Sequence, residues 1–263
     1  MGFTRRALLL SGLGGTALTL LGCAEDVAVP AKDASPVARM DWPAVAPHRG
    51  GLAIYPENTM KAFKAMARDY PEYGLEMDVR QLKDGELVIF HDNTVDRVAA
   101  GTETGPSEQM TTAQWKKLRI KDPMGGEPQP AIFLDDVLAE FGGTDTIMLI
   151  ECKAYPAVSK YIKKVWPYRD QVIACCFDPG TVSTLARSGL QTQQLISNTS
   201  KPFVEGIQHV GVLNTNATKE FCDKAHAADA RVWVWGDTMD MSRDKKALME
   251  NGVDGFIPND PRP

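Results

Sequence analysis

The pattern of apolar positions changes repeatedly along the chain from about residue 44 onward. Short β-branched apolar runs predict nine strands, at residues 45–48, 75–82, 87–91, 146–152, 172–177, 194–197, 210–213, 231–235 and 253–257. Between them, apolar positions at helical spacing predict amphipathic helices at residues 58–68, 157–165, 181–187, 219–227 and 242–250. Strands that alternate with helices are typical of parallel βα units, so the pattern predicts an α/β fold.

One of the nine predicted strands does not belong to a parallel sheet. Only Lys83-Asp84-Gly85-Glu86 separates residues 75–82 from residues 87–91, and Asp-Gly is a strong signal for a two-residue hairpin turn. Such a turn joins antiparallel strands, because a parallel partner needs a crossover of about a dozen residues or more. The eight other strands predict a (β/α)8 TIM barrel over residues 44–263, with a hairpin-led insertion (about residues 80–130) after the second strand. A doubly wound open sheet is the alternative, but no glycine-rich dinucleotide-binding sequence follows the first strand.

The hairpin also predicts a pair of neighbouring side chains. If Asp84-Gly85 are the two loop residues, equal steps outward along both strands place Asp78 directly opposite His91. Side chains opposite each other in an antiparallel pair have Cβ atoms ~4.5–5.5 Å apart. We therefore expect His91 to lie beside Asp78 on the same face.

The N-terminal residues have the pattern of a bacterial lipoprotein export signal. Arg5-Arg6 precedes an apolar run at residues 7–21, which is shorter than the ~20 residues that a membrane-spanning helix needs. The run ends in Leu20-Leu21-Gly22-Cys23, which resembles a lipobox, and the paired arginines also resemble a twin-arginine export motif. We expect an export signal at residues 1–22, lipidation at Cys23 and a flexible Ala/Pro/Asp-rich tether at residues 23–43. This predicts an exported, membrane-anchored protein of the cell envelope; an ordinary secretory peptide is the alternative.

The charge of the chain limits its partners. The formal net charge is −5 at neutral pH, and no block of like charge occurs. A basic surface for nucleic acid is therefore not expected.

Charged side chains cluster at the predicted carboxyl ends of the barrel strands, where reactive groups of such barrels gather. Because side chains alternate along a strand, Glu76 and Asp78 share one face, as do Glu151 and Lys153. Three carboxylates at one mouth repel each other unless a positive charge neutralises them. Ca²⁺ or Mg²⁺ held by oxygen ligands would do so, and pairing of each carboxylate with a nearby Lys or Arg is the alternative.

Several short blocks, taken in order, resemble the glycerophosphodiester phosphodiesterase family over about residues 45–261. They are His48-Arg49-Gly50-Gly51, Pro56-Glu57-Asn58-Thr59, Glu76-Met77-Asp78-Val79, Lys83-Asp84-Gly85, His91-Asp92 with Arg97, Glu151-Cys152-Lys153, and residues 232–235 and 252–257. Two positions depart from the usual pattern. Gly236 follows Trp235 where the family has Thr, and Asn259 stands near the end where Ile-Thr-Asp is commoner.

The resemblance implies a metal-dependent hydrolysis of glycerophosphodiesters to an alcohol and glycerol 3-phosphate. It implies that one divalent cation, Ca²⁺ or Mg²⁺, is held by Glu76, Asp78 and Glu151. The remaining implied roles are acid/base catalysis by His48 and His91 in either order, phosphate binding by Arg49 and Lys153, glycerol packing by Trp235, and support of the site by Glu57 and Asn58.

Two other functions stay open at this point. One is cleavage of lysophospholipid or sphingolipid head groups through a cyclic phosphate, which a membrane-anchored enzyme with lipid-derived substrates could perform. The other is an envelope lipoprotein that only binds a ligand. The presence of both histidines together with the carboxylates and Lys153 argues against pure binding.

Overall fold

A computed structural model describes residues 35–262. The predicted export signal, the lipidation site Cys23 and the first part of the predicted tether lie outside the described residues. Within residues 35–262, no helix combines the length and the apolar character that crossing a membrane requires.

Eight parallel strands and one antiparallel strand form a single curled sheet. The parallel strands are β1 Ala44–Val45, β2 Leu75–Gln81, β6 Met148–Cys152, β7 Val172–Cys176, β8 Gln191–Ile196, β9 His209–Leu213, β10 Arg231–Trp235 and β11 Gly255–Ile257. The antiparallel strand is β3 Leu87–Ile89, and the insertion carries a separate two-stranded sheet of β4 Arg119–Ile120 and β5 Gln129–Pro130. The order in the large sheet is β1-β11-β10-β9-β8-β7-β6-β2-β3. The predicted eight parallel strands are present.

The two ends of the parallel sheet meet where β1 approaches β2. The backbone N–H of Gly74 donates to the carbonyl of Val45 at 2.8 Å. A Cβ on Gly74 would lie 3.3 Å from the Cβ of Ala46, so the small residue permits this close approach. The contact brings the loop after β1 over the carboxyl end of β2.

Seven α-helices lie within residues 35–262, and the side chains that cap them explain where several begin. They are α1 Met60–Asp69, α2 Thr112–Trp115, α3 Leu134–Phe141, α4 Val158–Val165, α5 Pro179–Arg187, α6 Lys219–His226 and α7 Met241–Glu250. Thr59, Asp178, Thr218 and Asp240 each accept a hydrogen bond from a backbone N–H of the first turn of the helix that follows. The predicted helices are confirmed within two residues at each end, while α2 and α3 were not predicted.

Alternation along the strands separates the outer core from the barrel interior. In β2, Met77 and Val79 point outward into the large core between strands and helices. Glu76 and Asp78 therefore point inward, toward the mouth. The insertion has its own core, which includes Val88, Phe90 and Trp115.

The predicted hairpin is antiparallel, but its predicted register is wrong by one residue. Val79 pairs with Ile89 and Gln81 with Leu87. Gly85 adopts φ 92° and its N–H donates to the carbonyl of Leu82, so the loop contains three residues rather than two. An Asp-Gly sequence suits either loop, because Gly supplies the left-handed conformation that both require. Phe90, and not His91, therefore stands opposite Asp78, and its N–H donates to the Asp78 carbonyl at 2.8 Å.

The predicted tether ends earlier than residue 43. Val37 is buried among interior side chains at the amino ends of the strands, and its N–H donates to the carbonyl of Asp170. Trp42 packs edge-on against Trp233 at 5.5 Å and lies under the guanidinium of Arg231. The described residues before β1 therefore close the bottom of the barrel and belong to the folded domain.

The same layer contains a buried histidine. Trp233 Nε1 donates to His209 Nδ1 at 3.3 Å, which requires a neutral imidazole. Burial, with a smaller contribution from the charge of Arg231, lowers the pKa of His209 to about 3. The unfolded chain protonates this side chain near its ordinary pKa of 6.5, whereas the folded protein does not.

We predict that His209 makes the fold sensitive to acid. Between its unfolded and folded pKa values the unfolded state binds the extra proton, so the free energy of unfolding falls by about 1.4 kcal/mol for each pH unit lost. Urea unfolding of wild type and His209→Asn at about pH 7 and about pH 5 measures this, because the variant loses that part of the slope. An equal slope in both proteins would contradict the prediction.

Candidate active site

Three buried carboxylates meet inside the mouth of the barrel. Glu76 and Asp78 point inward from β2, and Glu151 points inward from β6. Asp78 and Glu151 are register partners on these adjacent parallel strands, so their side chains lie side by side. Lys153 follows immediately after β6. The alternation argument therefore placed these four side chains correctly.

Asp78 is the centre of the charge cluster. The Nζ of Lys153 lies 3.3 Å from its Oδ1, and the Nε of Arg49 lies 3.5 Å from its Oδ2. Asn58 Nδ2 donates to Oδ2 at 2.9 Å. Although burial opposes the charged form, Lys153 and Arg49 lower the pKa of Asp78 well below its ordinary value. Asp78 is therefore ionised.

The other two carboxylates are less well neutralised. Glu76 accepts one hydrogen bond, from the backbone N–H of Arg49 at 2.6 Å, and burial together with the charge of Asp78 raises its pKa well above the ordinary value. Glu151 accepts from Lys153 Nζ at 2.7 Å, but burial still raises its pKa to about 7. When all three carboxylates are ionised, they carry more negative charge than Arg49 and Lys153 balance.

This donor set fits a divalent cation. Within residues 35–262 no three His, Cys, Asp or Glu side chains are arranged around one point, because Lys153 and Arg49 lie between the carboxylates. Glu76 nevertheless contacts no cationic side chain, and Asp78 Oδ1 has no hydrogen-bond partner among the described residues. Buried carboxylate oxygens with unmet negative charge are the ligands that Ca²⁺ and Mg²⁺ prefer.

The loop after β1 carries Arg49 and Asn58 in an unusual backbone conformation. Both residues have positive φ, 52° and 55° respectively, which non-glycine residues seldom adopt. Gly50 follows with φ 79°, and a Cβ on it would lie 2.9 Å from the Cβ of Ala62 in α1. The tight turn presses the loop against α1 and directs both Arg49 and Asn58 at Asp78. Such strained residues gather at functional sites.

His48, in the same loop, is partly buried and is held by a neutral partner. Its Nδ1 lies 2.8 Å from Asn259 Oδ1, so Nδ1 carries a proton and donates. Burial, followed by the charge of Arg49, lowers the pKa of His48 to about 4, so the imidazole is neutral at physiological pH. Asn259 was noted in the sequence only as a departure from the family pattern; the structure makes it a site residue.

His91 lies just beyond β3, where the strand pairing has ended. Its Nδ1 lies 2.7 Å from Asp92 Oδ1, and 33% of its side chain is exposed. Although the pairing prediction is wrong, His91 lies near enough to Asp78 and His48 for charge on it to contribute to lowering the pKa of both groups. The two histidines therefore share one site and are held by different partners, an amide and a carboxylate.

Glu57 has both carboxylate oxygens occupied by arginines. Arg49 Nη1 donates to Oε1 at 3.0 Å, and Arg97 binds both oxygens, at 2.6 and 2.8 Å. The resemblance implies that Glu57 supports the site, and its contact with Arg49 shows how it can orient that side chain.

An aromatic wall stands at the carboxyl ends of β10 and β7. Trp235, at the carboxyl end of β10, packs edge-on against Phe177 at 6.0 Å. The Nε1 of Trp235 is buried and has no hydrogen-bond partner among the described residues. Gly236 leaves room for Asn214, whose Oδ1 would lie 2.4 Å from a Cβ at that position. A wall that is apolar apart from one free donor suits a small polyol.

Comparison with known proteins gives a consistent answer. The sequence model of the glycerophosphoryl diester phosphodiesterase family matches residues 48–262. The chain belongs to this family. The prediction from the sequence blocks is therefore confirmed, and with it the prediction of an enzyme of this class.

Individual relatives agree over nearly the whole domain. A glycerophosphodiester phosphodiesterase of Caldanaerobacter subterraneus subsp. tengcongensis is 29% identical over 232 residues, which are 81% of this chain and 93% of that protein. A phosphodiesterase of Oleispira antarctica, solved in complex with the product sn-glycerol-3-phosphate, has a TM-score of 0.71 and 19% identity over 84% of this chain and 94% of its own. A glycerophosphodiester phosphodiesterase of Thermotoga maritima has a TM-score of 0.66 and 22% identity over 82% and 93%. These similarities confirm the barrel fold.

We predict that Asn259 is needed to hold His48. Asn259→Ala removes the acceptor for Nδ1–H, so the imidazole turns freely and kcat for glycerophosphocholine falls about 10- to 100-fold. Asn251→Ala is the matched control. Asn251 directly follows the last residue of α7, and its side chain donates to the carbonyl of Ala217. Steady-state kinetics that give the same kcat for Asn259→Ala and for this control would contradict the prediction.

Proposed function

We propose that this family member hydrolyses glycerophosphodiesters to an alcohol and glycerol 3-phosphate by two-histidine acid/base catalysis that depends on a divalent cation. The observation that carries the proposal is the placement of His48 and His91 in one mouth with Arg49 and Lys153. Each imidazole uses Nδ1 for a protein partner, which leaves Nε2 for a reacting oxygen. The product bound to the relative from Oleispira antarctica is the product expected here.

One divalent cation, Ca²⁺ or Mg²⁺, would be held by Glu76, Asp78 and Glu151. When bound, it supplies positive charge that polarises the phosphoryl group. The excess negative charge of these buried carboxylates supports the assignment, because protons would otherwise have to neutralise Glu76 and Glu151.

Arg49 and Lys153 would bind the phosphate oxygens of the substrate. Both already lie among the carboxylates, at 3.5 Å or less from an oxygen of Asp78. A cation among the carboxylates would release the two side chains for the phosphodiester anion. Their charge then offsets the charge that develops on the phosphoryl oxygens.

The two histidine environments support different roles. His48 is partly buried, neutral and held by an amide, so its Nε2 can accept the proton of the attacking oxygen. His91 Nδ1 lies 2.7 Å from the carboxylate of Asp92, so in this mechanism its Nε2 would carry the proton that passes to the oxygen of the departing alcohol. The proton taken up by His48 and the proton given by His91 balance in one turnover.

The attacking oxygen is water for direct hydrolysis and the substrate's own hydroxyl for the cyclic-phosphate alternative. Trp235 and Phe177 would pack against the glycerol, with Trp235 Nε1 as a donor to one of its hydroxyls. Phosphorus NMR of the products separates linear glycerol 3-phosphate from a cyclic ester.

We also propose that a lipid on Cys23 anchors the enzyme to a membrane of the cell envelope. The lipobox-like residues Leu20-Leu21-Gly22-Cys23 support this proposal.

We predict that metal removal abolishes turnover of glycerophosphocholine and glycerophosphoethanolamine, and that Ca²⁺ or Mg²⁺ restores it. The carboxylates have too little positive charge around them without a cation. Calorimetric titration of the metal-free protein provides an independent measurement, with Glu76→Ala expected to bind the cation more weakly. Full activity of a rigorously metal-free sample would contradict the prediction.

We predict that His48→Ala and His91→Ala each lower kcat by roughly 10²–10⁴-fold, because each removes a proton transfer from the transition state. A substrate with an acidic leaving group, such as a p-nitrophenyl phosphodiester, needs no protonation of that group. It should therefore recover activity with His91→Ala but not with His48→Ala. Recovery in the reverse pattern would exchange the two roles, and a near-normal kcat would remove that histidine from the mechanism.

A further inference from the structure

Arg97, in the insertion, uses all three of its side-chain nitrogens in charged hydrogen bonds. Its Nε donates to Asp92 Oδ2 at 2.7 Å, while Nη1 and Nη2 donate to the two oxygens of Glu57 at 2.6 and 2.8 Å. Bidentate pairing of this kind fixes the plane of a guanidinium group. The planar guanidinium group of Arg97 therefore holds Glu57 and Asp92 on two adjacent edges.

Each of these carboxylates also binds a residue of the proposed catalytic machinery. Glu57 accepts from Arg49 Nη1 at 3.0 Å, and Asp92 Oδ1 lies 2.7 Å from His91 Nδ1. The five side chains form a continuous chain from Arg49 to His91. Arg49 belongs to the first barrel loop and His91 to the insertion, so the chain crosses from one to the other.

We propose that Asp92 and Arg97 are positioning residues, which fix the orientation of the His91 imidazole and its separation from Arg49. This inference rests on the proposed role of His91 as a proton donor. Asp92 sets which nitrogen of His91 faces the substrate, and Arg97 sets where Asp92 stands.

The position of His91 explains why such support is needed. It lies beyond the last paired residue of β3, Ile89, so the strand does not determine its direction. Its backbone is held separately, because Arg80 Nε donates to the His91 carbonyl at 2.8 Å and Arg80 Nη2 donates to Asn93 Oδ1. Loss of Arg97 would therefore free the imidazole without releasing the main chain.

A purely stabilising role does not account for the same geometry. Arg97 is 51% exposed, and ion pairs at exposed sites contribute little to stability. Asp92 nevertheless faces both His91 and Arg97, which lower its pKa far below the ordinary value against the effect of partial burial. The pairing keeps a full negative charge behind the imidazole.

The test is a set of variants measured by steady-state kinetics with the metal-loaded enzyme. Arg97→Ala should lower kcat about 10- to 100-fold with a much smaller change in KM. Arg97→Lys should not restore it, because an ammonium group cannot bind both Glu57 oxygens and Asp92 together. Asp92→Ala should lower kcat similarly, Asp92→Asn should lower it less, and the Arg97→Ala/Asp92→Ala double variant should be no worse than the poorer single variant.

Chemical rescue provides a readout that a structural role would not give. Because Arg97 is half exposed, its removal opens the position to solvent, and guanidinium ion at sub-denaturing concentration should raise the kcat of Arg97→Ala. Urea, which is neutral and of similar shape, should not. Neither should raise the kcat of Asp92→Ala.

Lys61→Ala is the matched control. Lys61 Nζ binds Asp122 Oδ2 at 2.8 Å, which also ties the insertion to the barrel but does not reach His91. The kcat of Lys61→Ala should equal that of wild type. Wild-type kcat in Arg97→Ala, or an equal loss in Lys61→Ala, would overturn the positioning role. An active His91→Ala would instead overturn the proposed function.

Discussion

Burial of like charge in the barrel mouth is the constraint on which the site depends. Three inward carboxylates come from two adjacent strands, and the barrel withdraws them from water. Arg49 and Lys153 both lie next to Asp78, so this carboxylate stays ionised. Glu76 accepts a hydrogen bond from one backbone N–H. A barrel that only needed stability would place apolar side chains here. In the proposed function a cation and an anionic substrate would complete the site, which would make this charge tolerable.

The first barrel loop shows how the fold supplies the balancing charge. Arg49 reaches Asp78 from a left-handed backbone conformation, and Gly50 lets the turn approach α1 closely enough for that direction. Asn58, at the other end of the loop, also has a positive φ and donates to the same carboxylate. The attraction of Arg49 and Asn58 to Asp78 thus offsets both the strain of the loop and part of the repulsion between the carboxylates.

The sequence pattern predicted those features that depend on residues close together along the chain. Alternation along β2 and β6 placed Glu76, Asp78 and Glu151 at one mouth, and Asp-Gly predicted an antiparallel hairpin. The register failed because the same dipeptide suits loops of two and of three residues, and only packing of Val88 and Phe90 in the insertion core distinguishes them. The contact between His48 and Asn259, which are 211 positions apart, has no local signature. The packing of residues 35–43 beneath the barrel was missed for the same reason.

The two histidines show how much of catalysis lies outside the catalytic side chains. They are chemically identical, and a sequence alone cannot assign one as base and the other as acid. The structure shows a difference at Nδ1, which faces an amide oxygen in His48 and a carboxylate oxygen in His91, and burial lowers the pKa of His48. In the proposed mechanism Asp92 must stay ionised and fixed, which Arg97 of the insertion and Glu57 of the first barrel loop provide. The insertion would then be part of the active site, because it carries His91, the proposed proton donor, together with Asp92 and Arg97, which orient it.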